Sequence, residues 1–390
     1  MPSGTIYSPR AMVERLVSFD TTSSKSNLEL IEFVRDYLAG HGVESVLVPN
    51  STGDKASLFA TVGPGDVGGI ALSGHTDCVP ADPAQWKSDP FAVTERDGRL
   101  YGRGTCDMKG FVGVVLAMVP EFVAAPLNTP LHIALSYDEE LGCTGVRDMI
   151  AALGHTLPLP KAVIVGEPTE MEVVDAHKSI SDFATEVTGR EGHSSAIDKG
   201  ANAIFAAGEL LGELSRMRDD MIEAGDPSGR FEPPFTSVHV GMISGGTALN
   251  IIPGQCRFNW ELRALPKSDE AALVDRFERF GRDIVLPRLR AVAPEAGIVT
   301  ERHIHAPGLA PDPGSLAERL AMRLAARNEA RAVSFATEAG LFQKQGAPSV
   351  VCGPGSIAQA HKPDEFIELT QLAACEEFLR ALLDLARKGI

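Results

Sequence analysis

The strongest constraint on the fold of this chain is a series of short apolar runs, several of which are followed within a few residues by a histidine or a carboxylate. Ser45–Val48, Ala56–Val62, Gly69–Ser73, Leu131–Ser136, Ala162–Val165 and Pro348–Cys352 are such runs. Near-continuous apolar stretches of this length suit strands covered on both faces, the situation of a parallel sheet. Helical spacing between them, over Lys109–Ala124 and Thr144–Leu153, supplies the crossovers that parallel strands require. Nearer the start, Ser26–Leu38 has helical spacing, with Ser26 and Glu29 placed as a capping box and Gly40 as a C-terminal cap.

The middle of the chain follows a different pattern. Ser179–Thr188 alternates like a strand, Ala201–Arg218 is helical, and Ser237–Ile243 and Gln255–Ala264 read as two further strands. Asp269–Leu289 is helical again, and Gly297–His305 is a final strand. The order β-α-β-β-α-β is that of a ferredoxin-like unit. The Pro/Gly-rich stretch Pro307–Gly314 then reads as a linker back into the first pattern. The expectation is an α/β protein with a mostly parallel sheet built from residues 1–178 and 307–390. A ferredoxin-like domain at 179–306 interrupts it. A chain of 390 residues, 44% of them hydrophobic, can bury two such cores.

Charge and cysteine usage remove several function classes. The net charge is −16 with no Lys/Arg cluster, which argues against nucleic acid or an anionic membrane surface as a partner. No apolar run approaches the roughly 20 residues that span a bilayer. Arg10 and Glu14 interrupt any leader-like stretch, so a cytoplasmic location is expected. The six cysteines are scattered without a C-x-x-C pair, which gives neither a disulfide framework nor a zinc knuckle. A serine hydrolase would need a G-x-S-x-G nucleophile elbow, and the sequence has none.

Ligands of open parallel sheets bind beyond the carboxyl ends of the strands. Gly74-His75-Thr76-Asp77 follows one apolar run, Asp138-Glu139-Glu140 follows another, and Glu167 follows a third. His361 lies a short loop after Pro348–Cys352, and Asp107 stands at the start of a helical stretch. Taken singly, each has a plainer role: a hydrogen-bonded core histidine, a helix cap, a solvated acidic turn. Together they place two imidazoles and several carboxylates on one rim, and such a charge cluster needs a cation. Nitrogen and oxygen ligands without thiolates suit zinc, with cobalt or manganese as substitutes. Two histidines, one shared carboxylate and one further carboxylate each would serve two metals about 3.5–4 Å apart.

His75-Thr76-Asp77, Gly102-Arg-Gly-Thr-Cys-Asp107-Met-Lys-Gly110, Glu139-Glu140, Gly166-Glu167-Pro-Thr169 and Ala360-His361-Lys-Pro-Asp-Glu-Phe366 resemble the motifs of the di-zinc aminoacylase/carboxypeptidase family. The likeness runs over nearly the whole chain. It implies a zinc domain interrupted by a lid that also forms a homodimer. It further implies that His75 and Glu167 bind one Zn2+, that Glu140 and His361 bind the other, and that Asp107 bridges them. Asp77 would orient His75. Glu139 would act as general base, taking a proton from the attacking water and giving it to the departing amine. His193, in Gly192-His193-Ser194-Ser195, and Asn250 would supply donors to the oxyanion.

The implied substrate is a small N-acyl amino acid. Arg263 matches a position that grips the substrate carboxylate, and Gly353 and Gly355 could add backbone donors to the same group. Thr337-Glu338-Ala-Gly-Leu-Phe-Gln343 resembles the acetylornithine deacetylase branch more than the succinyl-diaminopimelate desuccinylase branch. There Glu338 would face the terminal ammonium of the substrate. Desuccinylase, broader aminoacylase or dipeptidase activity, and an inactive zinc-binding regulator are the alternatives.

Overall fold

The computed structural model describes residues 4–65 and 67–390. It divides into two compact units: 1–176 with 309–332 and 337–390, and His177–Gly308 with Val333–Ala336.

The first unit is built on an eight-stranded sheet. Its order is Ser45–Pro49, Ala56–Val62, Leu131–Ser136, Ile70–His75, Ala162–Pro168, Ser349–Gly353, Val174–His177 and Arg331–Val333. The four central strands, from Leu131–Ser136 to Ser349–Gly353, are mutually parallel. On the Ala56–Val62 side and at Val174–His177 the pairing turns antiparallel. Every residue of these four central strands is buried, as their unbroken apolar sequences require. One continuous apolar core includes Leu72, Ile133, Ile164 and Val350 from the sheet with Phe111, Val115 and Phe378 from the covering helices.

Helix limits depart from the sequence pattern in four places. The Leu28–Gly40 helix is capped by Asn27, whose side chain is occupied elsewhere, so the Ser26/Glu29 capping box does not form. Ser26 Oγ instead accepts from Leu28 N and donates to the Asp54 carbonyl. Gly40 is the last helical residue, and the positive φ of 79° falls on Gly42 two residues later. The stretch over Lys109–Ala124 breaks at Met118 into Lys109–Ala117 and Val119–Ala124, with Pro120 in the first turn of the second piece. The helix within Thr144–Leu153 covers only Arg147–Ala152.

The second unit carries a four-stranded antiparallel sheet in the order Ser237–Gly245, Gln255–Arg263, Ile180–Thr188, Gly297–Ala306. The Ala203–Ala224 helix follows the first strand in the chain, and Glu270–Phe280 continues through a π-helical turn into Leu286–Arg290 before the last. With the strands numbered along the chain, the sheet order is 2-3-1-4, the ferredoxin-like arrangement. Its separate core stacks Phe183 on Trp260 at 4.2 Å and packs Phe258 and Phe277 behind them. Among the described residues no helix is long and apolar enough to cross a membrane.

Candidate metal centre

The four parallel strands deliver the site. His75 is the last residue of Ile70–His75, Glu167 lies near the end of Ala162–Pro168, and Glu139-Glu140 follow Leu131–Ser136 within four residues. His361 comes from the loop after Ser349–Gly353. Asp107 arrives by a different route. The strand Arg99–Tyr101, just before its loop, pairs with Phe366–Glu368, just after the His361 loop. A small antiparallel ladder therefore holds these two loops together, although they are more than 250 residues apart in the chain.

Asp107 stands between the imidazoles. Its Oδ1 is 3.0 Å from His75 Nε2, and its Oδ2 is 3.4 Å from His361 Nε2. Glu167 Oε1 lies 3.8 Å from His75 Nε2, and Glu140 Oε2 lies 3.0 Å from His361 Nε2. Ligand atoms of His75, Asp107 and Glu140 come within 4.8 Å of one another, and so do those of His75, Glu139 and Glu167. His75, Asp107 and Glu167 are buried, whereas His361 is exposed.

This cluster is electrostatically unbalanced. Burial, then the charges of Asp107 and the neighbouring glutamates, pushes Glu167 well above the ordinary carboxylate range. Glu139 and Glu140 are likewise raised, by burial first and by nearby carboxylates second. Against the desolvation of its burial, the two imidazoles hold Asp107 low. Hydrogen bonding to Asp107 and then Glu140 lifts His361 to about 10. Glu140 Oε1 and Glu167 Oε1 are buried without a hydrogen-bond partner. A carboxylate oxygen desolvated without a partner is costly, and a cation removes that cost. The residues fit a pair of metal ions with nitrogen and oxygen ligands.

Asp77 does more than its place in the motif suggests. The His75 Nδ1 contact is made chiefly with its backbone carbonyl, at 2.9 Å, while the carboxylate Oδ1 stands at 3.5 Å. The carboxylate accepts instead from Ser23 Oγ and from the backbone N–H groups of Glu139 and Glu140. It thereby fixes the turn that carries both glutamates. All six cysteines are buried free thiols, and Cys143 Sγ donates to Glu139 Oε1 at 3.3 Å.

Two substrate-binding expectations are corrected. Gly353 N–H donates to Thr169 Oγ1 and Gly355 N–H to Gln371 Oε1, so both are engaged inside the protein rather than offered to a carboxylate. These glycines answer to packing: a Cβ on Gly353 would meet Gly166 O at 2.0 Å, and Gly355 has a φ of +91°. Glu338 is 1% exposed, and its two oxygens accept from Ser136 Oγ and Ser73 Oγ. Burial raises its pKa to about 7. A carboxyl so enclosed by the sheet is not presented to a substrate ammonium.

The remaining expected residues lie in the second unit. His193 and Asn250 are far apart in sequence, but the Gly192–His193/Ile251–Ile252 ladder sets them side by side, with Ser194 N donating to the Asn250 carbonyl. Both are exposed. His193 Nδ1 meets Ser195 Oγ at 2.7 Å and the Ser195 N–H at 3.2 Å. Arg263, at the end of its strand, forks onto Glu261 in a half-exposed ion pair.

Glu365, Cys143 and Ser23 were not singled out from sequence. Glu365 lies inside the His361 motif, which was its only signal; Cys143 has only its nearness to Glu139-Glu140, and Ser23, 54 residues before its partner Asp77, has none.

The comparisons with known proteins agree with this geometry. The model of peptidase family M20/M25/M40 matches residues 71–385. The chain is 38% identical over 388 residues to acetylornithine deacetylase of Myxococcus xanthus, covering 97% of both. It is 35% identical over 387 residues to acetylornithine deacetylase of Pasteurella multocida, covering 97% of this chain and 96% of that one. It shares its fold with an M20 family metallo-carboxypeptidase of Sulfolobus solfataricus, with a TM-score of 0.75 at 16% identity, covering 98% and 100% of the two chains. By the extent of these matches, the chain belongs to peptidase family M20/M25/M40.

Proposed function

We propose that this chain is a metal-dependent amidohydrolase that converts Nα-acetyl-L-ornithine to L-ornithine and acetate. The observation that carries the chemistry is the convergence of His75, Asp107, Glu140, Glu167 and His361 at the ends of four parallel strands, with Glu139 beside them. The substrate rests on the near-full-length likeness to acetylornithine deacetylases.

In this reading His75, Asp107 and Glu167 hold one Zn2+, and Asp107, Glu140 and His361 hold the other. When bound, the pair supplies Lewis-acid polarisation of the amide carbonyl and lowers the pKa of water at the site. Glu139 is assigned the proton work. Its Oε1 carries the Cys143 thiol, whereas Glu140 and Glu167 each keep an unpartnered oxygen for a cation. Glu139 takes a proton from the attacking water and returns it to the amine nitrogen as the C–N bond breaks, since an amide anion would be a very poor leaving group. Burial favours the protonated form that the second step needs. Arg263 is the candidate grip for the α-carboxylate, which would have to displace Glu261.

The second unit is proposed as the lid and dimerisation domain, in a cytoplasmic homodimer. Its edge strand Ser237–Gly245 exposes Met242 and Ile243, and Phe205 and Leu249 are also exposed. A long edge with apolar side chains calls for a cover, and a second copy supplies one. His193 and Asn250 are the donors assigned to the oxyanion, contributed by the partner.

The test is acetate release from Nα-acetyl-L-ornithine by metal-loaded protein, with succinyl-diaminopimelate as the competing substrate. Native turnover that falls by about 10²–10⁴ in Glu139→Ala supports the assignment. Turnover of succinyl-diaminopimelate alone removes the substrate, and undiminished activity of Glu139→Ala removes the mechanism. Mixing inactive Glu139→Ala and His193→Ala chains tests the shared site: hybrid dimers should regain activity.

A further inference from the structure

The His361 loop also contains a buried carboxylate, and we propose that this residue, Glu365, positions the bridging ligand Asp107. The proposal rests on the reading of Asp107 and His361 as metal ligands. Glu365 is 1% exposed and receives four donors from one short segment. Its Oε2 accepts from Arg103 Nη1 at 2.6 Å and Gly104 N at 2.9 Å. Its Oε1 accepts from Cys106 N at 2.8 Å and from Asp107 N itself at 3.0 Å. The Glu365 carbonyl takes a fifth, from Gly102 N at 3.0 Å.

The arrangement is a latch. Gly102–Asp107 lies outside helix and strand; Arg103 N–H and Thr105 N–H reach the Pro90 and Gly102 carbonyls, and one carboxylate collects those of Gly104, Cys106 and Asp107. The Phe366–Glu368/Arg99–Tyr101 ladder begins at the residue after Glu365, so the latch closes where the two ligand-bearing loops are already joined. The consequence is register. Asp107 can direct one oxygen to His75 and the other to His361 only if its backbone is held relative to the His361 loop. The latch residue comes from that same loop, four positions after His361. Arg103 contributes charge compensation, but its Nε is buried without a partner, so the ion pair is not the best-satisfied part of the site.

Glu365→Gln separates the parts. A glutamine has one acceptor oxygen where the carboxylate has two. Arg103 and Gly104 would claim it, which sets the new NH2 against the N–H groups of Cys106 and Asp107. Partners that orient a metal ligand typically cost 10–100-fold in metal affinity when mutated.

The experiment measures Zn2+ and Co2+ affinity of the full-length apoprotein by chelator competition, together with the absorption spectrum of the Co2+ form. Native protein is compared with Glu365→Gln, Arg103→Met and Asp107→Asn. Expected are a 10–100-fold weaker binding and an altered Co2+ spectrum in Glu365→Gln. Arg103→Met leaves the Glu365 carboxylate buried without its cation and should melt earlier, yet keep its metal affinity within about threefold, since the Oε1 contacts stay in place. Native affinity and spectrum in Glu365→Gln would overturn the proposal, as would a loss in Arg103→Met equal to that in Glu365→Gln. Native affinity in Asp107→Asn would instead overturn the underlying assignment of metal ligands. Should Glu365→Gln fail to fold, hydrogen exchange of the native apoprotein decides: the Cys106 and Asp107 amides must be protected, and exchange at the open-chain rate refutes the latch.

Discussion

His132 is an acid-sensitive point in the centre of the catalytic sheet, and replacing it should change how stability depends on pH. The ring lies in the Leu131–Ser136 strand and is 0% exposed. Gly69 N–H donates to Nε2 at 2.9 Å, so that nitrogen must carry a lone pair, and the proton belongs on Nδ1, which meets Thr61 Oγ1 at 2.9 Å. Protonating Nε2 would oppose two donors inside the sheet. Burial lowers the His132 pKa to about 4 from an ordinary 6.5. The sign follows directly. Below pH 6.5 the unfolded chain takes up a proton that the folded chain refuses, so this stability is complete above 6.5 and is lost as pH falls towards 4. By pH 4.5 the loss is about 2.5 kcal/mol, or roughly 5–10 °C in melting temperature for a unit of this size. His132→Gln keeps an acceptor but cannot take the proton. The variant should be less stable than native at pH 7.5, and the gap should close by about 2.5 kcal/mol by pH 4.5 in urea titrations of the apoproteins. Subtracting one protein from the other removes the titration of every other group they share. A gap that stays constant across this range would refute the tautomer assignment and the argument with it.

Two further substitutions test the supports of Glu139. Cys143→Ala removes a thiol donor to Glu139, and a hydrogen bond to a charged group is worth about 1.5–3 kcal/mol at most, less for sulfur; kcat should fall about five- to tenfold with KM and metal content unchanged, and Cys143→Ser should recover most of it. An unchanged kcat in Cys143→Ala would show that the thiol is only packing. Asp77→Asn sets an NH2 against donors among Ser23 Oγ, Glu139 N and Glu140 N, so metal affinity and kcat should drop 10–100-fold, measured by chelator competition and acetate release. Loss of activity with full metal affinity would place the role of Asp77 on the Glu139 turn alone.

The parts of this molecule that were legible in the sequence are those whose position follows from strand topology. His75 and Glu167 lie on parallel strands, and Glu139-Glu140 directly after one, so a run of apolar residues already fixed which rim they share. The β-α-β-β-α-β order was equally visible, because alternation and helical spacing differ in period. Helix ends were not, since Asn27 and Ser26 compete for one cap and the winner is decided by contacts with Ala56 and Asp54 distant in the chain.

What the sequence concealed is the side-chain partnership across long separations. Glu338 and Glu365 are both buried acids near the site, and nothing in their local sequence separates their roles. The fold does: Glu338 meets two serine hydroxyls of the sheet, whereas Glu365 meets a row of backbone N–H groups in a loop with no other means of satisfying them. A hydroxyl can rotate to follow a carboxylate, but a backbone N–H is fixed in direction, so the second arrangement specifies where the chain runs and the first does not. Glycine shows the same asymmetry. Gly353-Pro354-Gly355 looked like an open nest for an anion, yet each of its N–H groups closes on a partner from another segment, Thr169 in one case and Gln371 in the other. Those proposed ligands that lie on or directly after parallel strands can therefore be placed by counting strands, while the residues that hold them in position become apparent only once the destinations of the backbone donors are known.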